Sequence, residues 1–143
     1  MRKNFLTLVL LLIGTFAFAQ NGMTKFEQLP ANSQEFVNTY FKDYKVMYVF
    51  MEKEFADTEY KLRFEDGTEI EFNAKGEWKN VSGERNCIPT AFILKEITDY
   101  VAAYHTDMCI TDVEKDHNRI KVELNDHLEI EFSSKGKFIS YDD

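Results

Sequence analysis

Two spacings of apolar residues run along this chain, and each occurs twice. A helical spacing of three and four places Phe36, Val37, Tyr40, Phe41 and Tyr44 on one face, and later Ile93, Ile97, Tyr100, Val101 and Tyr104. Leu29-Pro30 and Ile88-Pro89 precede these stripes, and proline suits the first turn of a helix, so a helix is expected after each. Beyond each stripe the period drops to two. Strands are predicted at 46–55, 60–64, 69–72 and 78–81, and again at 108–113, 120–124, 129–132 and 138–141. Each half thus reads as one helix followed by a four-stranded antiparallel meander.

The halves also share sequence. KLRFEDGTEIEFNAKGEW at 61–78 returns as KVELNDHLEIEFSSKGKF at 121–138, and Tyr40 with Tyr100 and Tyr44 with Tyr104 extend the same register of sixty into the helices. The expected architecture is α+β, a tandem duplication spanning 20–83 and 84–143. The apolar positions select the turns as well. A two-residue loop at Asp66-Gly67 would set Phe64 against Glu69, whereas a three-residue loop pairs Leu62 with Ile70 and Tyr60 with Phe72. That loop needs a left-handed residue at Gly67, as in a type I turn with a G1 bulge. By the same logic Gly76 pairs Phe72 with Trp78, and Gly136 pairs Phe132 with Phe138.

On the other face this register sets Lys61 across from Glu71, Arg63 from Glu69, and Lys121 from Glu131. Exposed cross-strand pairs of this kind contribute a few tenths to about one kcal/mol each. Glu123 across from Glu129 breaks the pattern. It is either a solvated like-charge pair or a place for a cation or a basic partner. With Tyr48 and Phe50 directed to the helix, Met47, Val49 and Met51 fall on the open side, framed by Lys61, Arg63, Glu69 and Glu71. Apolar residues in a charged frame are an interaction patch unless the first strand is covered on both faces.

The first nineteen residues change the picture of where this surface works. Arg2 and Lys3 precede an apolar run of about fourteen residues, and Ala17 and Ala19 stand before the expected cleavage point, the pattern of a secretory signal peptide at 1–19. The run is shorter than the roughly twenty residues of a membrane-spanning helix, so no membrane insertion is expected after cleavage. Without the leader, fifteen Lys and Arg face twenty-five Asp and Glu, and both halves are acidic. A phosphate backbone is repelled by such a surface, which argues against nucleic acid. In an oxidising compartment Cys87 and Cys109 are disulfide candidates. A full helix between them would hold them too far apart unless the following strand runs back along it, and otherwise Cys109 is a small buried hydrophobe.

Catalytic chemistry finds little support. His105, His117 and His127 lie on separate predicted elements, the acidic stretch 112–116 lacks the glycine and terminal glutamate of a calcium loop, and no phosphate loop or nucleophile elbow occurs. The reading is a non-enzyme without a cofactor or metal.

The secretory leader, the proline-started helix, and FEDGTEIEF at 64–72 with KGEW at 75–78, echoed in the second half, resemble the PepSY-like family of β-lactamase-inhibitor-like proteins secreted by Gram-negative bacteria. The resemblance covers essentially the whole mature chain and carries over no catalytic residues. It implies that the strands of both halves join into one larger antiparallel sheet with both helices on one face. The expected function is a periplasmic or secreted binding module whose open sheet face meets a periplasmic or envelope protein, and inhibits it if the family description extends so far. The alternative is a small-ligand or cation-binding protein with Glu123 and Glu129 as cation contacts.

Overall fold

The computed structural model describes residues 21–142, so the leader at 1–19 lies outside the described residues. Strand β1 (Gly22–Thr24) leads through a short 3-10 turn to helix α1 (Ala31–Tyr40), then to β2 (Val46–Glu54), β3 (Asp57–Phe64), β4 (Glu69–Phe72) and β5 (Trp78–Ser82). Helix α2 (Lys95–Tyr104) follows, with β6 (Ile110–Asp116), β7 (Arg119–Leu124), β8 (Glu129–Ser133) and β9 (Phe138–Asp142). The nine strands among the described residues form one antiparallel sheet in chain order. Eight are the strands expected from the period of two. The ninth, β1, adds to the outer edge of β2, with Met23 opposite Phe50.

The turns follow from the pairing argument. Leu62 faces Ile70, Tyr60 faces Phe72, and Lys61 and Arg63 face Glu71 and Glu69. The same register sets Lys121 against Glu131 and Glu123 against Glu129. Gly67 at φ +94° supplies the left-handed residue of the β3–β4 turn, and His127 takes the equivalent place at φ +68°. Few side chains adopt this conformation; histidine is among the more tolerant.

One apolar row crosses seven strands through Val49, Leu62, Ile70, Val81, Val113, Val122 and Ile130, each at most 2% exposed. Both helices pack on this side. Val37 and Phe41 at the end of α1, and Ile97 and Val101 of α2, are buried in the same core. Phe36 meets Phe72 edge-on at 5.9 Å, and Tyr100 meets Phe132 at 5.4 Å. Fully burying a side chain of this size stabilises by about 1.5–3 kcal/mol, so the row and the helix faces dominate the fold.

Those matched contacts correct the register of sixty in the helices. Val37 corresponds to Val101 and Phe36 to Tyr100, sixty-four residues apart, whereas the strands from β3 onward keep sixty. The four residues are taken up in the β2–β3 hairpin, whose strands are longer than those of β6–β7. The second helix also begins later than its proline predicts. Residues 90–93 form a turn in which Ile93 N–H donates to the Thr90 carbonyl at 3.0 Å, Ile88 and Ile93 enter the core, and Leu94 precedes the first turn of α2 as Pro30 does that of α1.

This delay brings the cysteines together. The connector after β5 runs beside the start of β6, with Gly83 N–H donating to the Thr111 carbonyl at 2.7 Å and Ile88 N–H to the Ile110 carbonyl at 3.0 Å. Cys87 and Cys109 form a disulfide with their Cα atoms 5.7 Å apart. The helix expected between them begins only after the connector has returned to the sheet.

Candidate functional site: the open face of the sheet

Side chains alternate along a strand, so the row beside the apolar one emerges on the face away from the helices. Two such rows cross the sheet. One runs Tyr48, Arg63, Glu69, Ser82, Asp112, Glu123, Glu129 and Asp142; the other runs Phe50, Lys61, Glu71, Asn80, Glu114, Lys121, Glu131 and Ser140. Among the described residues, both helices lie on the opposite side.

The expected apolar patch is placed differently. Val49 is 2% exposed opposite Leu62, and Met51 is half-buried opposite Tyr60, so both face the helices. Met47 occupies an irregularity between Val46 and Tyr48 and remains 64% exposed. The inversion has a definite cause. The two-residue Phe55-Ala56 loop pairs Glu54 with Asp57 and carries that register back to Val49 and Leu62, turning Tyr48 and Phe50 outward. A strand apolar on both faces gives no alternation from which to choose the phase. The helix-side contacts and the length of the hairpin were the missing signals.

Lys61, Arg63, Glu69 and Glu71 do share the open face. Lys61 Nζ lies 3.0 Å from Glu71 and 3.8 Å from Glu69; Arg63 lies 3.2 Å from Glu69 and 2.9 Å from Glu84. The hydrogen bond to Glu71 raises the Lys61 pKa, against the effect of partial burial. In these two rows the first half therefore has two cations against two carboxylates, beside Tyr48 and Phe50.

The second half does not balance. Its rows hold Asp112, Glu114, Glu123, Glu129, Glu131 and Asp142 against the single ammonium of Lys121. Arg119, at the start of β7, pairs with Glu131 at 2.6 Å, and Lys121 approaches the same carboxylate at 3.7 Å. Glu123 has His127 Nδ1 at 3.0 Å, a contact made through the turn residue that replaces Gly67. Glu123 and Glu129 stand directly opposite each other as expected. Among the described residues, no group of three or more His, Cys, Asp or Glu side chains is arranged to hold a metal ion.

Asp112 sits where the halves join. Burial pushes its carboxyl pKa up; hydrogen bonding to Ser82 and Asn80 opposes this, and Glu123 and Glu114 add to the rise. Asn80 Nδ2 donates to Asp112 at 3.2 Å. Sequence reasoning missed Asp112 because no acidic residue stands at its strand position in the first half. There the place belongs to Tyr48, and only the crossing of β5 onto β6 puts Asp112 between Ser82 and Glu123.

These features define a class of small α+β proteins in which two helices cover one side of an antiparallel sheet and leave the other as a charged platform. The chain belongs to the PepSY-like family: the family model described as "Putative beta-lactamase-inhibitor-like, PepSY-like" matches residues 58–140. Several solved structures share the fold. A "putative calcium-regulated periplasmic protein" from Bacteroides thetaiotaomicron is 29% identical, with a TM-score of 0.82 over 86% of this chain and 97% of that one. A "putative periplasmic protein from DUF2874 family" of Bacteroides vulgatus is 31% identical, with a TM-score of 0.81 over 87% and 98%. Another periplasmic protein from that bacterium, described as of unknown function, is 29% identical, with a TM-score of 0.80 over 87% and 100%. The comparison with curated proteins finds no match. The chain is thus a periplasmic protein of this family, and the family description indicates no enzymatic activity. Among the described residues no helix is long and apolar enough to cross a membrane.

Proposed function

We propose that this chain is a non-enzymatic binding module, built from two copies of one unit at 20–83 and 84–143, whose open sheet face holds a basic segment of a periplasmic or envelope protein. The observation that carries the reading is the charge asymmetry of that face: in its two central rows the second half sets six carboxylates against the ammonium of Lys121, with the flanking Arg119 engaged by Glu131, beside a balanced grid and two aromatic residues on the first. An acidic surface steers a cationic partner and suppresses anionic ones. Tyr48 and Phe50, with the exposed Met23 beside them on β1, supply apolar contact of the kind enriched at interfaces. Lys61, Arg63, Glu69 and Glu71 frame that contact and fix its orientation. Blocking a partner's own site would follow from occupancy of this face.

The test uses mature protein and two peptides of equal length, one lysine-rich and one glutamate-rich, followed by fluorescence anisotropy. Saturable binding of the lysine-rich peptide alone, weakened by salt and by Glu123→Lys with Glu129→Lys, supports the reading. Equal binding of both peptides, or indifference to the double substitution, overturns it.

Cation binding is the second reading. The calcium-regulated description of the Bacteroides thetaiotaomicron structure favours it, and Glu123 and Glu129 are its contacts here. A calcium-dependent rise in melting temperature that the same double substitution abolishes would select it over the peptide reading.

A further inference from the structure

A groove of about 440 Å³ opens at the junction of the two halves, within the size range of small-molecule sites. Asn32 and Phe36 of α1, Gly76 and Trp78 of the β4–β5 hairpin, and Lys115 of β6 line it. Phe36 lies nearly parallel to Trp78 at 6.4 Å, and Phe92 meets the indole edge-on at 5.2 Å. The Lys115 ammonium stands 3.7 Å from the centroid of the Trp78 ring.

Lys115 makes no ion pair among the described residues, in a chain where acidic groups outnumber basic ones twenty-five to seventeen. Partial burial lowers its pKa, and Glu77 works in the other direction. Glu77 is engaged elsewhere, its carboxylate accepting from Asn73 Nδ2 at 3.0 Å. The other lysine of the groove, Lys79, pairs with Glu59. A cation on an aromatic surface without a carboxylate partner is half of a recognition site for an anion carrying a ring.

The far end of the sheet carries a related aromatic stack without, among the described residues, a lysine over it. Tyr100 and Phe138 repeat the stack of Phe36 and Trp78, with centroids 5.0 Å apart. There the Tyr141 hydroxyl bonds Tyr100 at 2.7 Å and His105 at 3.1 Å. Among the described residues, the cation over an aromatic ring is found at the junction, where β6 supplies Lys115 to Trp78.

From this arrangement we infer that the groove binds a small aryl carboxylate, its carboxylate on Lys115 and its ring against Trp78 and Phe36. The site is on the helix side of the sheet and independent of the open face. Trp78 is the only tryptophan in the chain, so its fluorescence reports occupancy directly. Mature protein is titrated with phenylacetate, with phenylacetamide and acetate as uncharged and ringless controls, and calorimetry runs in parallel. Phenylacetate is expected to bind saturably and the controls not at all.

Lys115→Met is expected to weaken phenylacetate binding about tenfold, the loss of one charge-assisted hydrogen bond, whereas Lys115→Arg stays near wild type. Circular dichroism establishes that each variant is folded. Glu123→Lys with Glu129→Lys should leave this binding unchanged, which separates it from the peptide reading. The inference is overturned if phenylacetate gives no saturable signal, if phenylacetamide binds equally well, or if folded Lys115→Met binds like wild type.

Discussion

Replacing Cys87 and Cys109 by serine opens a covalent loop whose ends are separated by 22 residues. For a loop of that length the chain-entropy relation gives about 11 cal/mol/K, or ~3.4 kcal/mol at room temperature, lost from the constraint on the unfolded chain. The native connections around the bridge survive the change, because Gly83 and Ile88 are tied to β6 through backbone hydrogen bonds. The loss should therefore appear as stability and not as a changed fold. Unfolding the described residues carries an entropy on the order of 260 cal/mol/K, so the melting temperature should fall by about 13 °C. Thermal denaturation by circular dichroism measures this on the double variant, and on wild-type protein with and without reductant. Agreement between the variant and reduced wild type assigns the effect to the bridge. A double variant that melts within about 3 °C of oxidised wild type would refute the loop-entropy reasoning.

Three further outcomes follow from the geometry. Gly76→Ala should cost about 1–3 kcal/mol in denaturant titration, because a Cβ there would stand 2.2 Å from Asn32 Oδ1 and 2.6 Å from Pro30 Cβ on a backbone at φ +80°. Val49→Asp should abolish cooperative unfolding because it puts a carboxylate in the core, whereas Met47→Asp on the exposed irregularity should stay within about 0.5 kcal/mol of wild type. Asp112→Asn should raise the melting temperature at neutral pH. The native state holds the Asp112 proton more tightly than the unfolded chain, so stability declines as pH rises from the ordinary carboxyl value of 3.8 through the raised native one. The advantage of the asparagine variant should therefore shrink on acidification below that range, as melts across pH will show.

Much of the sheet was legible because its information is local. Three-residue turns closed by Gly67, Gly76, His127 and Gly136, with apolar residues two apart on either side, admit one register, and the pairs Leu62 with Ile70 and Glu123 with Glu129 follow from it. The Val49 row was not legible in its first member. Strand β2 is apolar on both faces, and its phase was set by the Phe55-Ala56 loop and by packing against the helices. The helix register failed for a related reason. Tyrosines sixty apart match in sequence, yet the contacts of Phe36 and Tyr100 with the sheet place corresponding residues sixty-four apart.

The candidate site divides along the same line. Lys61, Arg63, Glu69 and Glu71 could be placed on one face by counting along two strands. Tyr48 and Phe50 needed the resolved phase of β2, and Asp112 and the Trp78–Lys115 contact needed the two halves side by side. The sequence by itself determined eight of the nine described strands, their turns, the ion-pair grid and the acidic balance, because periodicity and turn chemistry act over a few residues. Only the tertiary structure decided which face of β2 is buried, that Cys87 meets Cys109, and that the junction carries both an acidic row and a lysine-capped aromatic groove. Those features depend on contacts between residues distant along the chain, and the pairing of β5 with β6 is what brings them together.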